Sequence, residues 1–463
     1  MIDIIEQKQF HLHKETKTIL LATDFSNPLV QALFALFPSV IQEKQKEDLI
    51  TIHTLGVISS KKLLLVPYSK LSIREKAIEV FSKLPEAKED ICVLIDTFVN
   101  PKNEFSVADL TETLLLKDYR FEQFKSRKED SDHTFSFYGE KELYETIKKA
   151  FVLAKATIFS RNLTNTPYNQ LNAKKLAEHA KSLEKYPSIR VQILSKKEID
   201  DLGMGLYLGV NKGSLDDPQF IIIEHRPAET YDLALVGKGV MYDTGGYSLK
   251  TPLTMPGMKT DMAGAASVIA AMEALAQLDA KTSVIAMVPA TDNRIGDNAI
   301  VPDDILTSAK GLTVEIISTD AEGRLTLADA LWYAQKRNAK KIIDVATLTG
   351  AVVAALGEEF TGAFTNNKRF LEEFRLATIR ANEPIWEMPI SKGYHLELKS
   401  DCADLKNKGG KNAGASIAAA FLEEFVDKKT PWIHLDIAAT STHNSMATGV
   451  MVKSFVEYVL SLE

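Results

Sequence analysis

The stretch Val236-Gly237-Lys238-Gly239-Val240-Met241-Tyr242-Asp243-Thr244-Gly245-Gly246-Tyr247-Ser248-Leu249-Lys250 decides how this chain is read. The approach to it, Leu233–Val236, is a short apolar run of the kind that forms a strand buried on both faces. The run enters a glycine-rich turn that brackets Lys238 and Asp243, with Lys250 beyond. Glycines there let the backbone approach a neighbour closely or take a positive φ.

Working outward, similar strands are expected at Val191–Leu194, Phe220–Glu224, Ser283–Val288, Val314–Ile317, Ile342–Val345 and Trp432–Ile437. Helices are expected between several of them, at Gly264–Leu278, Leu325–Ala339 and Ala413–Glu424, with an earlier one over Asn169–Leu183 capped by Asn169. Buried-type strands alternating with helices imply an α/β fold with a mostly parallel sheet covered on both faces. No fixed-period repeat or low-complexity tract interrupts the pattern.

The N-terminal part also reads as α/β, with strands at Ile19–Ala22, Lys62–Pro67 and Ile91–Ile95. Helical spacing is seen over 70–84, where Leu71, Ala77, Ile78 and Phe81 share a face, and again over 106–115 and 140–157. A polar run from Lys125 to His133 reads as a loop. Two domains are therefore expected, residues 1–160 and 161–463, each a mixed or mostly parallel sheet flanked by helices. A chain of 463 residues is long for a single core, which agrees with that division.

Hydrophobic residues make up 45% and charged residues 25%, the balance of an ordinary water-soluble globular protein. Nothing reaches the uninterrupted apolar length that a bilayer requires, and Met1–Glu6 carries an acidic residue where a secretory signal needs a basic one. No membrane partner and no cleaved leader are expected. The two cysteines, Cys92 and Cys402, lie in different halves, which excludes a thiol metal cluster and fits a reducing compartment. The net charge of -7 argues against nucleic acid as the main partner.

The chemistry concentrates in two segments. Beyond the glycine-rich turn, Asp261 precedes a run of small residues, Met262-Ala263-Gly264, and its bland reading is the N-cap of the helix that follows. The second segment, Ser318-Thr319-Asp320-Ala321-Glu322-Gly323-Arg324-Leu325, lies between a strand and a long amphipathic helix. Its charges alternate and are costly to bury unless they pair or bind a metal. An ion pair beside a capped helix is the competing reading.

Together the segments offer four carboxylates, Asp243, Asp261, Asp320 and Glu322. Like charges sharing a small site raise one another's pKa unless cations neutralise them, and two divalent ions about 3.5–4 Å apart would do so. Histidine is absent from both segments, so the donor set is oxygen-rich and suits magnesium or manganese as well as zinc. His434, inside an apolar run, reads as structural.

Other chemistries find less support. Gly237-Lys238-Gly239 lacks the order of a phosphate-binding loop. No Gly-x-Ser-x-Gly elbow appears, Cys402 has no local histidine partner, and Cys92 sits inside an apolar strand. A two-metal phosphoesterase is the alternative enzyme, because oxygen-rich metal pairs also serve phosphoryl transfer.

These segments closely resemble the leucyl aminopeptidase family, peptidase family M17. The resemblance rests on Val236–Gly239, Asp243–Gly246, Asp261–Gly264 and Thr319–Leu325. It is supported by Arg161–Pro167, Ala346–Gly350, Ser400–Asp404, Gly409-Gly410, Ala413–Ala415 and His434–Ala438. It covers about residues 160–463, while the first 160 agree only in length and α/β character.

What the resemblance implies is a cytoplasmic metal-dependent aminopeptidase with a regulatory or assembly-related N-terminal domain, forming a homohexamer and acting on peptides with a free N-terminus. Lys238, Asp243, Asp261 and Glu322 would surround the tighter metal ion. Asp243, Asp320 and Glu322, with the Asp320 carbonyl, would surround the exchangeable one. Zinc is implied, with manganese or magnesium in the exchangeable position. Lys250 would stabilise charge on the scissile carbonyl oxygen. Arg324 would hold a bicarbonate that relays the proton, since arginine itself stays protonated. Met258 and the Ala346–Gly350 loop are candidates for the specificity pocket. Some family members also bind DNA, here a secondary expectation.

Two departures from the family pattern stand out. Ser318 occupies a position that is commonly asparagine. Pro289-Ala290-Thr291-Asp292-Asn293 stands where Glu-Asn-Met-Pro is more usual, so packing or substrate preference near the site is expected to differ.

Overall fold

The computed structural model describes residues 2–5, 18–22, 28–37, 50–66, 73–84, 88–99, 106–127 and 133–463. Leu71 and residues 128–132 of the polar run lie outside the described residues. The chain divides into two compact units, Met1–Ala154 and Lys155–Glu463, and the division falls within the long helix Tyr144–Asn165.

The first unit carries β1 (Ile2–Ile5), β2 (Thr18–Ala22), β3 (Ile50–His53), β4 (Lys62–Val66), β5 (Asp90–Leu94) and β6 (Thr134–Tyr138). They form one sheet in the order β1-β6-β5-β2-β4-β3, parallel except where β3 meets β4. The helices Ile73–Lys83 and Ser106–Lys117 lie where helices are expected, and Ala77, Val80, Leu110 and Leu114 join the core against Leu20, Leu64 and Val93, with Phe81 packed on it. Ile78, expected on the same face, is instead exposed, and Val80 takes the inward position.

The second unit is built on β7 (Ile189–Leu194), β8 (Gln219–His225), β9 (Leu233–Gly237), β10 (Gly239–Asp243), β11 (Val284–Asn293), β12 (Ile305–Thr307), β13 (Thr313–Glu315), β14 (Ile342–Ala346), β15 (Thr361–Thr365), β16 (Ile385–Glu387), β17 (Leu405–Lys406) and β18 (Trp432–Asp436). The main sheet runs β16-β15-β18-β14-β9-β11-β8-β7, with β10 added beside β11. The central strands β18, β14, β9 and β11 are mutually parallel, as are β10 and β11. Antiparallel contacts of β15, β8 and β7 make the sheet mixed.

Both faces of the centre are covered, which is why β9 and β14 read as unbroken apolar runs. Ala234, Val236 and Ile342 pack with Leu325 and Leu331 of the helix Gly323–Lys336 and with Phe421 of the helix Gly414–Glu423. The alternate residues Leu235 and Val345 are equally buried, and the alanine-rich helix Ala263–Gln277 packs on the same two strands. Small residues let that helix come close. A Cβ on Gly264 would lie 2.1 Å from the Val345 carbonyl oxygen, and one on Gly237 2.6 Å from the Gly264 carbonyl oxygen. This approach brings the end of β9 to the start of the helix, and so Lys238 to Asp261.

Some expectations are corrected. The early helix is Ala173–Lys181, capped by Asn172 rather than Asn169, because the Asn172 side chain accepts from Lys175 N. The residues expected as a glycine turn contain the strand β10, since Gly239 and Val240 pair with Ala290 and Thr291. The strand before Ser318 ends at Glu315 and belongs to a separate sheet, β12-β13-β17, rather than to the main one.

Candidate metal centre

The charged side chains gather where the parallel strands end, the usual ligand side of an open α/β sheet. Lys238 follows β9, Asp243 ends β10, and Thr347 follows β14. The loop Ile316–Glu322 reaches them from the small sheet. It is tied in by Thr319, whose hydroxyl donates to the Gly245 carbonyl at 2.5 Å and accepts from Ser248 N at 2.7 Å.

Two lysines each join two carboxylates. Lys238 Nζ lies 2.7 Å from Asp261 Oδ1, 2.9 Å from Glu322 Oε1 and 3.0 Å from the Thr347 carbonyl oxygen. Lys250 Nζ lies 2.7 Å from Asp243 Oδ2 and 2.6 Å from Asp320 Oδ1. Asp261 does not cap its helix. The N-cap is Met262, and Asp261 Oδ1 also accepts from the Thr347 hydroxyl at 2.8 Å.

Four carboxylates against two ammonium groups leave the site with a formal excess of negative charge. Burial, reinforced by the negative charge of Glu322, pushes the Asp243 carboxyl up to about 6. Burial also works against the Lys238 ammonium, but Asp261, Glu322 and Asp243 outweigh it and hold the pKa above the ordinary lysine value. For Lys238 to give a lone pair instead, other positive charge must take its place among the carboxylates.

The donor set fits a divalent cation. Oxygens of Asp243, Asp320 and Glu322 converge within 4.8 Å of one another. Asp261 Oδ2 is buried without a hydrogen-bond partner, an expense that a cation would offset. Arg324, in the first turn of its helix, donates from Nη1 to the Asn407 carbonyl at 2.8 Å, while its buried Nε has no partner. That free donor fits a small oxyanion such as bicarbonate. Burial lowers the Arg324 pKa to about 10, which still leaves the guanidinium charged at neutral pH.

The expected specificity loop is held by Asp436: Thr349 donates to its Oδ2 at 2.6 Å, and Leu348 N donates to its Oδ1 at 3.1 Å. Met258 lies in the short helical turn before Asp261. His434 is fully buried, with Nδ1 2.6 Å from Asp344 Oδ1 and its ring stacked on Phe364, as a structural histidine would be. Cys92 is buried and Cys402 exposed, and neither forms a disulfide.

Two asparagines at the site were not singled out for any role by sequence. Asn293 donates to Asp243, and Asn407 holds the Ser318 backbone. Asn407 answers part of the question raised by Ser318, because its side chain bonds the backbone of residue 318 whatever side chain stands there.

The comparisons with known proteins agree with this geometry. Residues 158–456 match the cytosol aminopeptidase family, catalytic domain. A probable cytosol aminopeptidase of Bacillus licheniformis is 42% identical over 404 residues, covering 83% of this chain and 80% of that protein. Among solved structures, a mutant of tomato leucine aminopeptidase superposes with a TM-score of 0.85 at 30% identity, covering 99% of this chain and 96% of the other. The chain belongs to the cytosol aminopeptidase family, peptidase family M17, and is a metal-dependent aminopeptidase.

Proposed function

We propose that this chain removes the N-terminal residue, leucine-like side chains preferred, from peptides with a free amino terminus, and that it does so with two divalent cations. The observation that carries the reading is the convergence of Asp243, Asp320 and Glu322 oxygens within 4.8 Å, beside the orphaned Asp261 Oδ2. Lys238, Asp243, Asp261 and Glu322 are assigned to the tighter site, and Asp243, Asp320 and Glu322 with the Asp320 carbonyl to the exchangeable one. Zinc is the expected ion, with manganese or magnesium able to enter the exchangeable site. The bound cations supply Lewis-acid polarisation of the scissile carbonyl, a water of lowered proton affinity and an anchor for the substrate's α-amine.

The chain's own residues do the rest. Lys250, already charged between Asp243 and Asp320, presents its ammonium to the carbonyl oxygen as negative charge develops there. Arg324 cannot accept a proton, so its role is to hold a bicarbonate at the unpartnered Nε as the proton carrier. The N-terminal unit is assigned to assembly or regulation of a cytoplasmic homohexamer, and nucleic acid is not the main partner. No helix among the described residues is long and apolar enough to cross a membrane.

Leucine amide and N-acetyl-leucine amide, offered to metal-stripped protein with zinc, manganese or magnesium restored singly, test the proposal. Cleavage of the free-amine substrate alone, and only after metal is restored, is expected. Equal cleavage of both, or cleavage of phosphate esters instead, would overturn it.

A further inference from the structure

We propose that Asn293 is a positioning residue of the metal centre, fixing the plane of the Asp243 carboxylate toward the cations and holding the Asp320–Glu322 loop against it; this rests on the two-cation reading above. Asn293 closes β11 directly beside the end of β10, where Asp243 and Asn293 are register partners after a shift in the ladder. The residue is 2% exposed. Nδ2 donates to Asp243 Oδ1 at 2.8 Å and to the Thr319 carbonyl oxygen at 3.0 Å. Both partners can only accept, so chemistry dictates that the NH₂ group points at them.

Asp243 Oδ1 accepts a second bond from Gly245 N at 2.8 Å. One carboxylate oxygen is thus occupied by two N–H donors, and Oδ2 is the one left beside Lys250, 2.7 Å away. Without the amide, Gly245 N alone would hold that oxygen, and the plane of the carboxylate would turn about its last torsion at little cost.

The asparagine is itself braced from several sides. Its carbonyl accepts from Thr244 N at 3.0 Å and from the Thr244 hydroxyl at 2.9 Å. The preceding Asp292 uses other partners, accepting from Ser214 Oγ at 2.6 Å and from the Tyr168 hydroxyl at 3.2 Å. On the remaining side a Cβ at Gly246 would come within 3.1 Å of Asn293 Oδ1. One side chain therefore ties together the two segments that carry the metal ligands, from inside the stretch whose sequence departs from the family pattern. Partners that hydrogen-bond metal-binding carboxylates are typically worth about 10–100-fold in metal affinity or activity.

The test is calorimetric titration of metal-stripped protein with Mn²⁺, together with kcat and KM for leucine amide at saturating Mn²⁺. Asn293→Ala is expected to bind Mn²⁺ about 10-fold or more weakly and to lower kcat with KM within about twofold, since Asn293 is not assigned a substrate contact. Asn293→Ser, smaller but still polar, serves the same reading if the alanine variant does not fold. Ser454→Ala, which removes a buried 2.6 Å bond to Glu383 away from the metal ligands in sequence and sheet, controls for lost stability and is expected to leave Mn²⁺ affinity unchanged. Wild-type affinity and kcat in a folded Asn293 variant would overturn the inference. Asp243→Asn separates the two claims: if it too binds Mn²⁺ normally the metal-site reading fails, and if it alone loses Mn²⁺ only the role of Asn293 fails.

Discussion

Nη1 of Arg324 lies 2.8 Å from the carbonyl oxygen of Asn407, and the Asn407 side chain continues the contact along the loop leading to Asp320. Its Oδ1 accepts from Ile317 N at 2.8 Å and its Nδ2 donates to the Ser318 carbonyl at 2.7 Å. This extends the β13–β17 ladder by one side-chain step, so a fully buried asparagine stands in for a strand partner.

Asn407→Ala should therefore leave backbone groups of residues 317 and 318 unpaired, at a cost of about 1–3 kcal/mol. Chemical denaturation of the metal-free protein would show it as a lower midpoint. Asn407→Asp should be no better, because it sets an acceptor against the Ser318 carbonyl. An unchanged midpoint for both variants would contradict the role.

Gly323 opens the helix that carries Arg324, where alanine would ordinarily be favoured over glycine by about 1 kcal/mol. Here a Cβ would lie 2.5 Å from Lys238 Cε and 2.7 Å from its Nζ. Gly323→Ala is predicted to displace Lys238 and to lower kcat/KM about 100-fold or more, since an ångström of misplacement can cost that much. Initial rates with leucine amide decide the matter.

Lys250→Met keeps the length of the side chain but removes the charge. Loss of a group that stabilises developing negative charge typically lowers kcat by about 10²–10³. The same fall should appear in kcat/KM, with metal uptake unchanged; a rise in KM alone would assign Lys250 to ground-state binding instead.

Asp329, fully buried in the same helix, accepts from Ala309 N at 2.8 Å and Tyr207 N at 3.0 Å. Burial outweighs these donors and raises its pKa to about 7. A carboxyl raised on folding binds more protons in the native state, so its contribution to stability is full below about pH 4 and is lost as pH rises through about 7. The thermal midpoint of the native protein, compared with that of Asp329→Asn from pH 5 to 8, should show a falling component that the variant lacks. Parallel curves would contradict this.

Much of the site was legible because its chemistry is dense in sequence: Lys238, Asp243 and Lys250 lie in one run, and Asp320, Glu322 and Arg324 in another. The central strands were legible because burial on both faces leaves unbroken apolar runs such as Leu233–Val236 and Ile342–Val345. What escaped was set by distant partners. Gly239–Asp243 is a strand only because β11 lies beside it, and the 314–317 strand stops early because Asn407 takes over pairing at Ile317. Asn172 rather than Asn169 caps its helix, a choice between two asparagines that local propensity does not separate. Asn293 and Asn407 carry no local signature, since what matters about each is the acceptor that folding brings to its amide.

The most direct test of the central claim is the number of divalent ions that metal-stripped protein takes up, counted by equilibrium titration alongside leucine amide hydrolysis. Two ions per chain, with hydrolysis returning as they bind and both lost in Glu322→Gln, is the predicted result. Hydrolysis that persists in stripped protein, or full activity in Glu322→Gln, would contradict the account.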